Sequence, residues 1–451
     1  MFGCSKTEHM KKLFLFLALP LLVASCKPKE VPVIDDKDKE QPTVDPELNK
    51  ANTTVVYECN ERLFARQDAF NAIRSYLPVL EQMQVNVLWL MPIHPRGTVN
   101  AVGSPYCVKD YYAIDPAFGT MADLKALVDD CHDRGMKVML DWIANHTAFD
   151  NQWHNDHPDW YTTPVGEETN WNDVAPLNYA KTEVQQAMQD AMVYWVSEAD
   201  IDGFRCDYAE GVPNTFWTNA INAIREVKPE AIMLAEASNT SLYQAGFDWM
   251  YSWNYLGAVQ NVFRNSRGLS NLFTTSNNEY NATPAGKERL RYVTTHDASS
   301  EEAPATYYRT AGGELAAACV TFFIGGVPMI YSSQEIGDVA QLDFFNYHIK
   351  SFSADNATTK AYIALMKAYT ASAEARYGEL TNHSTDQVAM FSRKQDKAEL
   401  LVMVNTTAAG QNITLPMQWQ REECTDLLTG EKMYAPKSAT LGAYEYRIYS
   451  R

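Results

Sequence analysis

Paired cysteines are missing from this sequence. Of its eight cysteines, Cys4 and Cys26 lie near the N-terminus. The other six, Cys59, Cys107, Cys131, Cys206, Cys319 and Cys424, are scattered without a C-x-x-C pair, which argues against both a zinc site and a disulfide framework. Several fall in apolar runs and read as small buried hydrophobes. Positive charge is scarce too: 38 Lys and Arg stand against 56 Asp and Glu, a net charge of −18. That balance excludes electrostatic affinity for nucleic acid or anionic lipid. No internal repeat occurs, and no apolar run reaches the roughly 20 residues that span a bilayer. Core-forming residues are abundant: 46% of the 451 residues are hydrophobic and 12% aromatic. That is enough for one large domain and a smaller one.

The N-terminus reads as an address. Met10-Lys11-Lys12 is a basic start, Leu13 to Val23 an apolar stretch too short to cross a membrane, and Leu22-Val23-Ala24-Ser25-Cys26 looks like a bacterial lipobox. The expectation is a lipoprotein signal over 1–25, with Met10 a candidate start and Cys26 lipidated. A lipid anchor is then the only membrane contact, and the location is the cell envelope. Residues 26–52, rich in Pro, Lys, Asp and Glu, read as a disordered tether.

From Thr53 onward, β-branched apolar runs alternate with helical patterns. Strands are expected at Thr54–Tyr57, Val85–Pro92, Lys137–Ile143, Ile201–Asp207, Ala231–Ala237, Phe247–Trp253, Arg289–Thr295 and Val327–Tyr331. Helices are expected over Ala69–Met83, from the capping box Thr120-Met121-Ala122-Asp123, over Glu183–Ser197 and over Thr359–Glu374. Alternation repeated about eight times implies a (β/α)8 barrel over 53–375, with a polar, Trp-rich excursion at 147–178. Short alternating strands after that describe a C-terminal antiparallel β-sandwich domain over 376–451.

Chemistry gathers at the strand ends. Ile201-Asp202-Gly203-Phe204-Arg205-Cys206-Asp207 is a buried strand closing on a cation and a carboxylate two residues apart, hence on one side of the strand. Arg205 should therefore hold Asp207 ionised. An isolated Arg-x-Asp is usually a surface ion pair, but this one has company. Other strands end in Asp141-Trp142-Ile143-Ala144-Asn145-His146, in Leu234-Ala235-Glu236 and in Thr294-Thr295-His296-Asp297.

These four segments, in this order, resemble the four characteristic regions of the α-amylase family, glycoside hydrolase family 13. Leu90-Met91-Pro92-Ile93, the stretch Asp110 to Thr120 and Gln334-Glu335-Ile336-Gly337 resemble further parts of it, so the likeness runs from Thr53 to Arg451. The resemblance implies a retaining hydrolase of α-1,4-glucosidic bonds in starch-like glucans or maltooligosaccharides, acting as a monomer. Asp207 would be the nucleophile and Glu236, its pKa raised, the general acid/base. Asp297 would stabilise the oxocarbenium-like transition state. His146 and His296 would bind hydroxyls of the sugar at the cleavage subsite, and Tyr106 would be the platform beneath it. A transglycosylase with the same three acids is the alternative; a non-catalytic carbohydrate-binding relative would be expected to lack one of them.

Several residues depart from the family pattern. Thr295 replaces Asn before His296-Asp297. Ala209-Glu210 stands where many α-amylases carry Lys-His, which weakens the expectation of calcium. Asn145 matches a calcium ligand of the family, so calcium is allowed but no cofactor is required. Pro176 replaces a charged residue in the stretch Val174 to Asn178. Gly103 stands where exo-acting α-glucosidases place an Asp, which favours an open cleft and endo action. Aromatics of the excursion, Trp153, Trp160, Tyr161 and Trp171, read chiefly as holding that loop together.

Overall fold

Eight parallel strands, each beside its neighbours in sequence, close into a barrel through the pairing of the first with the last. The computed structural model describes residues 53–162 and 172–451. The signal segment, Cys26, the tether and Trp171 lie outside the described residues. The strands are β1 Val56–Cys59, β2 Val87–Leu90, β3 Lys137–Ile143, β4 Gly203–Asp207, β5 Ile232–Ala235, β6 Trp249–Met250, β7 Glu288–Arg291 and β8 Val327–Tyr331. Almost every strand residue is buried, as a parallel sheet covered on both faces demands. Outside pack α1 Ala69–Gln82, α2 Met121–His132, α3 Thr182–Ala199, α4 Asn214–Val227, α5 Trp253–Asn265, α6 Leu269–Asn281, α7 Ala311–Phe323 and α8 Ala357–Ala371.

The alternation expected from sequence fails in one place. Between β5 and β6 a single 3-10 turn, Thr240–Tyr243, replaces a helix, and two helices then follow β6. Strand β6 is correspondingly short, because Trp253 already opens α5. The capping box forms as read: Thr120 Oγ1 accepts from the Asp123 amide at 3.3 Å and Asp123 accepts from the Thr120 amide at 2.8 Å. Gly203 is required by close packing. Its φ is +149°, and a Cβ there would lie 1.9 Å from the Ile232 carbonyl oxygen on β5. The six cysteines of the barrel and β-domain are free and buried.

After the barrel come β9 Glu379–Asn382, β10 Val388–Gln395, β11 Ala398–Asn405, β12 Gln411–Thr414, β13 Glu423–Asp426, β14 Lys432–Tyr434, β15 Ser438–Leu441 and β16 Tyr446–Ser450. Six form an antiparallel sheet in the order β9-β10-β11-β16-β13-β14, and β12 pairs with β15. The central strands β10 and β11 are buried on both faces with period 2. Ala389, Phe391, Leu400, Val402 and Val404 join the barrel's core. Their neighbours Val388, Met390, Leu401 and Met403 pack instead with Ile413, Leu415 and Trp419.

Candidate active site

The C-terminal ends of the barrel strands converge on one guanidinium. Arg205, fully buried on β4, reaches Asp207 Oδ1 and Asp141 Oδ1 through Nη1, each at 2.9 Å. Its Nη2 makes an ionic contact with Glu236 Oε2 at 2.9 Å, and its Nε donates to the Tyr251 hydroxyl at 3.2 Å. The period of the strand puts Arg205 and Asp207 on one side, while the register Cys206↔Ala235 brings Glu236, just past β5, level with Asp207. Glu236 is fixed further by the Tyr208 amide, which donates to Oε2 at 2.8 Å.

Exposure separates these charged groups into two sets. Arg205 and Asp141 keep none of their side-chain surface, whereas Asp207 keeps 14%, Glu236 19% and Asp297 34%. Only the latter three can meet a ligand. Asp297 stands beside His296, its Oδ2 3.3 Å from Nε2. The imidazole lies under the ring of Tyr106, with centroids 5.2 Å apart and planes 18° from parallel, and Phe344 meets both edge-on.

A continuous hydrogen-bonded chain links these groups. Glu58 Oε1 accepts from His296 Nδ1 at 2.5 Å, His296 Nε2 lies 2.7 Å from the Tyr106 hydroxyl, and that hydroxyl donates to Asp141 Oδ2 at 3.1 Å. Trp89 Nε1 also donates to Asp141 Oδ2, at 3.2 Å. Burial pushes the Asp141 carboxyl up to about 7 despite the pull of Arg205. Asp207 is raised as well: burial outweighs the lowering by Arg205, and Asp297 adds to the rise. Arg205 opposes the rise at Asp207, as expected, without cancelling it. Burial likewise raises Glu236, with Arg205 opposing and Asp207 reinforcing.

His146 is placed differently from its expected role. Its Nε2 donates to the Tyr106 carbonyl at 3.2 Å and its Nδ1 accepts from the Asn145 amide at 3.2 Å, so the ring holds the Tyr106 loop from behind. Burial lowers its pKa to about 4, keeping it neutral. Asn145 spends its side-chain NH2 on that histidine, and its backbone carbonyl accepts from the Leu177 amide. Among the described residues no group of three or more His, Cys, Asp or Glu could hold a metal ion.

The family departures have local explanations. Thr295 caps the helical turn that carries His296 and Asp297, its Oγ1 accepting from the Ala298 amide at 3.1 Å. Glu210 accepts from the amides of Ser238 and Asn239, fastening the loop after Glu236. Gly103 has open space where a side chain would stand, and its carbonyl accepts from Arg96 at 2.8 Å. Trp153 packs against Tyr111 and Trp160, holding the excursion together. Glu58 was not singled out by sequence, and Asp141 only as the first residue of the strand-end segment Asp141 to His146. The available signal was an acid inside each of two otherwise apolar strands, Val55 to Cys59 and Val138 to Ile143.

A closed barrel with acids and histidines of this arrangement at its mouth defines a class, and the chain belongs to the α-amylase family: the model of the α-amylase catalytic domain matches residues 68–173 and 167–439. Among particular relatives, α-amylase MalA of Haloarcula japonica is 26% identical over 408 residues, 84% of this chain and 59% of that protein. A cyclomaltodextrinase of Thermoanaerobacter pseudethanolicus is 25% identical over 372 residues, 74% of this chain and 63% of the relative. The chain thus spans about three fifths of the length of these two curated relatives. The structure of the maltogenic α-amylase AmyB from Thermotoga neapolitana superposes with a TM-score of 0.78 at 26% identity, covering 89% of this chain and 99% of that one.

Proposed function

We propose that the chain hydrolyses α-1,4-glucosidic bonds in starch-like glucans or maltooligosaccharides with retention of configuration. The observation that carries this reading is the set of three solvent-reachable carboxylates around one buried guanidinium at the barrel mouth. Asp207, its Oδ1 held by Arg205, attacks the anomeric carbon through Oδ2. Glu236, its Oε2 held by the Tyr208 amide, donates a proton from Oε1 to the departing oxygen. In the second step Glu236 takes a proton from water, which attacks the same carbon and releases Asp207. Asp297 and His296 grip the sugar as it flattens, and Tyr106 lies beneath it. Interactions that strengthen in that flattened state are what accelerate the reaction. The relatives named α-amylase, cyclomaltodextrinase and maltogenic amylase support an α-glucan substrate. The open position at Gly103 favours endo action.

The test is a time course on maltoheptaose, starch, pullulan and cyclodextrin. Shorter maltooligosaccharides are expected from the wild type, and none from Asp207→Asn, in which the isosteric amide removes only the nucleophile. Products longer than maltoheptaose would make a sugar, not water, the acceptor. Substantial turnover by Asp207→Asn would sink the assignment. Cys26 is proposed to anchor a monomer to the cell envelope; a Cys26→Ala variant that stayed in the membrane fraction would refute the anchor. Calcium is proposed to be dispensable, and loss of activity on chelation would show otherwise.

A further inference from the structure

We propose that Glu58, at the end of β1, is a positioning residue that holds His296 as an imidazolium directed at Tyr106 and Asp297. This rests on the glycosidase reading. Glu58 is fully buried. Its Oε1 accepts from His296 Nδ1 at 2.5 Å and lies 3.4 Å from the His296 amide, while Oε2 has no hydrogen-bond partner among the described residues. Burial raises the Glu58 carboxyl and favours its protonated form, and the charge and hydrogen bond of His296 oppose that rise; an ionised Glu58 this poorly served needs a positive charge against it.

The charges around the site point the same way. Five carboxylates, Glu58, Asp141, Asp207, Glu236 and Asp297, face a region whose fixed cation is Arg205. A protonated His296 supplies a second positive charge between two of those acids, Glu58 on Nδ1 and Asp297 beside Nε2. The phenols of Tyr106 and Tyr331, near His296 and Glu58 respectively, are pushed up by burial and carry no charge. Trp89 and Phe344 close on the imidazole edge-on, keeping water from competing. Burial alone would lower the histidine; Asp297 and Glu58 together raise it to about 9, against the opposing Arg205.

With both ring nitrogens protonated, one geometry follows. Nδ1–H donates to Glu58, Nε2–H donates towards the Tyr106 hydroxyl, and that hydroxyl donates to Asp141. Every proton in the chain then has a fixed direction, and the platform tyrosine cannot swing away from the site. A neutral His296 could point the Nε2 lone pair at Tyr106 instead and reverse the chain. Glu58 touches no substrate; it selects between these two states.

The experiment is an NMR titration of the full chain labelled with ¹⁵N and ¹³C histidine, with His296→Asn used to assign the resonance. In the wild type His296 should remain protonated on both nitrogens past about pH 8, well above the free value of about 6.5. In Glu58→Gln its midpoint should fall by at least about one pH unit, and kcat should drop by about 10- to 100-fold. Glu58→Asp, which keeps the charge, should restore part of both. A wild-type midpoint at or below the free value, or an unmoved midpoint in Glu58→Gln, overturns the proposal. The wild-type midpoint decides alone if the variant does not fold. Failure of the wild type to cleave any α-glucan would instead remove the glycosidase reading, leaving the charge state of His296 to be judged by the titration.

Discussion

At the scale of single residues, the site works through unequal burial. Arg205 meets three carboxyl groups but cannot hold all of them fully ionised, because desolvation penalises each charge it stabilises. Glu236 should therefore stay protonated, and able to act as an acid, to higher pH than a free glutamic acid. Asp207 should need a pH above the free aspartic range before it is ionised. In the proposed mechanism activity requires Asp207 deprotonated, so it is lost as pH falls through that raised value. It also requires Glu236 protonated, so it is lost again as pH rises through the second. A kcat/KM profile with both limbs above about 3.9 and 4.3, the ordinary Asp and Glu values, is expected. Glu236→Gln should abolish the alkaline limb and spare the first step on substrates with activated leaving groups. Equal loss on activated and natural substrates would contradict the acid role. The three exposed acids were legible from sequence because each sits in a motif at a strand end. Glu58 was not, since a single acid in a short strand carries no partner in the linear order; its histidine lies 238 residues away.

At the scale of elements, the barrel's geometry hangs on places where backbones touch. Gly203 starts β4 against the Ile232 carbonyl, so any side chain there must push β5 outward and with it Glu236. Gly203→Ala should destabilise by about 3 kcal/mol, the upper range for an overpacked core, and reduce kcat more than it alters KM. Urea denaturation and steady-state kinetics check the two effects. An unchanged midpoint would mean that β4 and β5 tolerate separation. Runs of β-branched residues mark most strands, and those of β3 and β8 match to the residue; the expected β2, β5, β6 and β7 run past their C-terminal ends, where the chain turns into site loops. Helix α7 escaped the reading. All of Gly313 to Phe323 is buried, so it shows none of the 3.6-residue alternation that marks a half-exposed helix.

At the scale of the whole molecule, buried acids outside the site shape stability. Glu314, at the start of α7, has neither carboxyl oxygen hydrogen-bonded among the described residues, and burial, with help from Asp338 and Glu335, pushes its pKa well up. Glu335 is likewise raised by burial, to about 7, though Tyr57 and Tyr76 donate to it. Between the unfolded value of about 4.3 and these raised values, the native state binds more protons than the unfolded one. Stability must therefore fall as pH rises through that window. Glu314→Gln should flatten the decline in Tm from about pH 5 to 8 and leave the variant more stable than wild type at the alkaline end. An equal or steeper decline would show that Glu314 is ionised at no cost. The presence of a β-rich end was readable from its short alternating strands. That its central strands β10 and β11 would be covered on both sides was not, because alternation between two different apolar neighbours looks in sequence like a plain hydrophobic run.

Those doubly covered strands limit what can be rearranged. Phe391 and Val402 belong to the same cluster as the barrel helices, and Arg393, beside them, donates to the carbonyls of Ile324 and Arg376. The tail is thus closer to a keel than to an appendage. Grafting it onto another barrel, or trimming it to obtain a smaller catalyst, would have to replace an apolar seam as well as a linker.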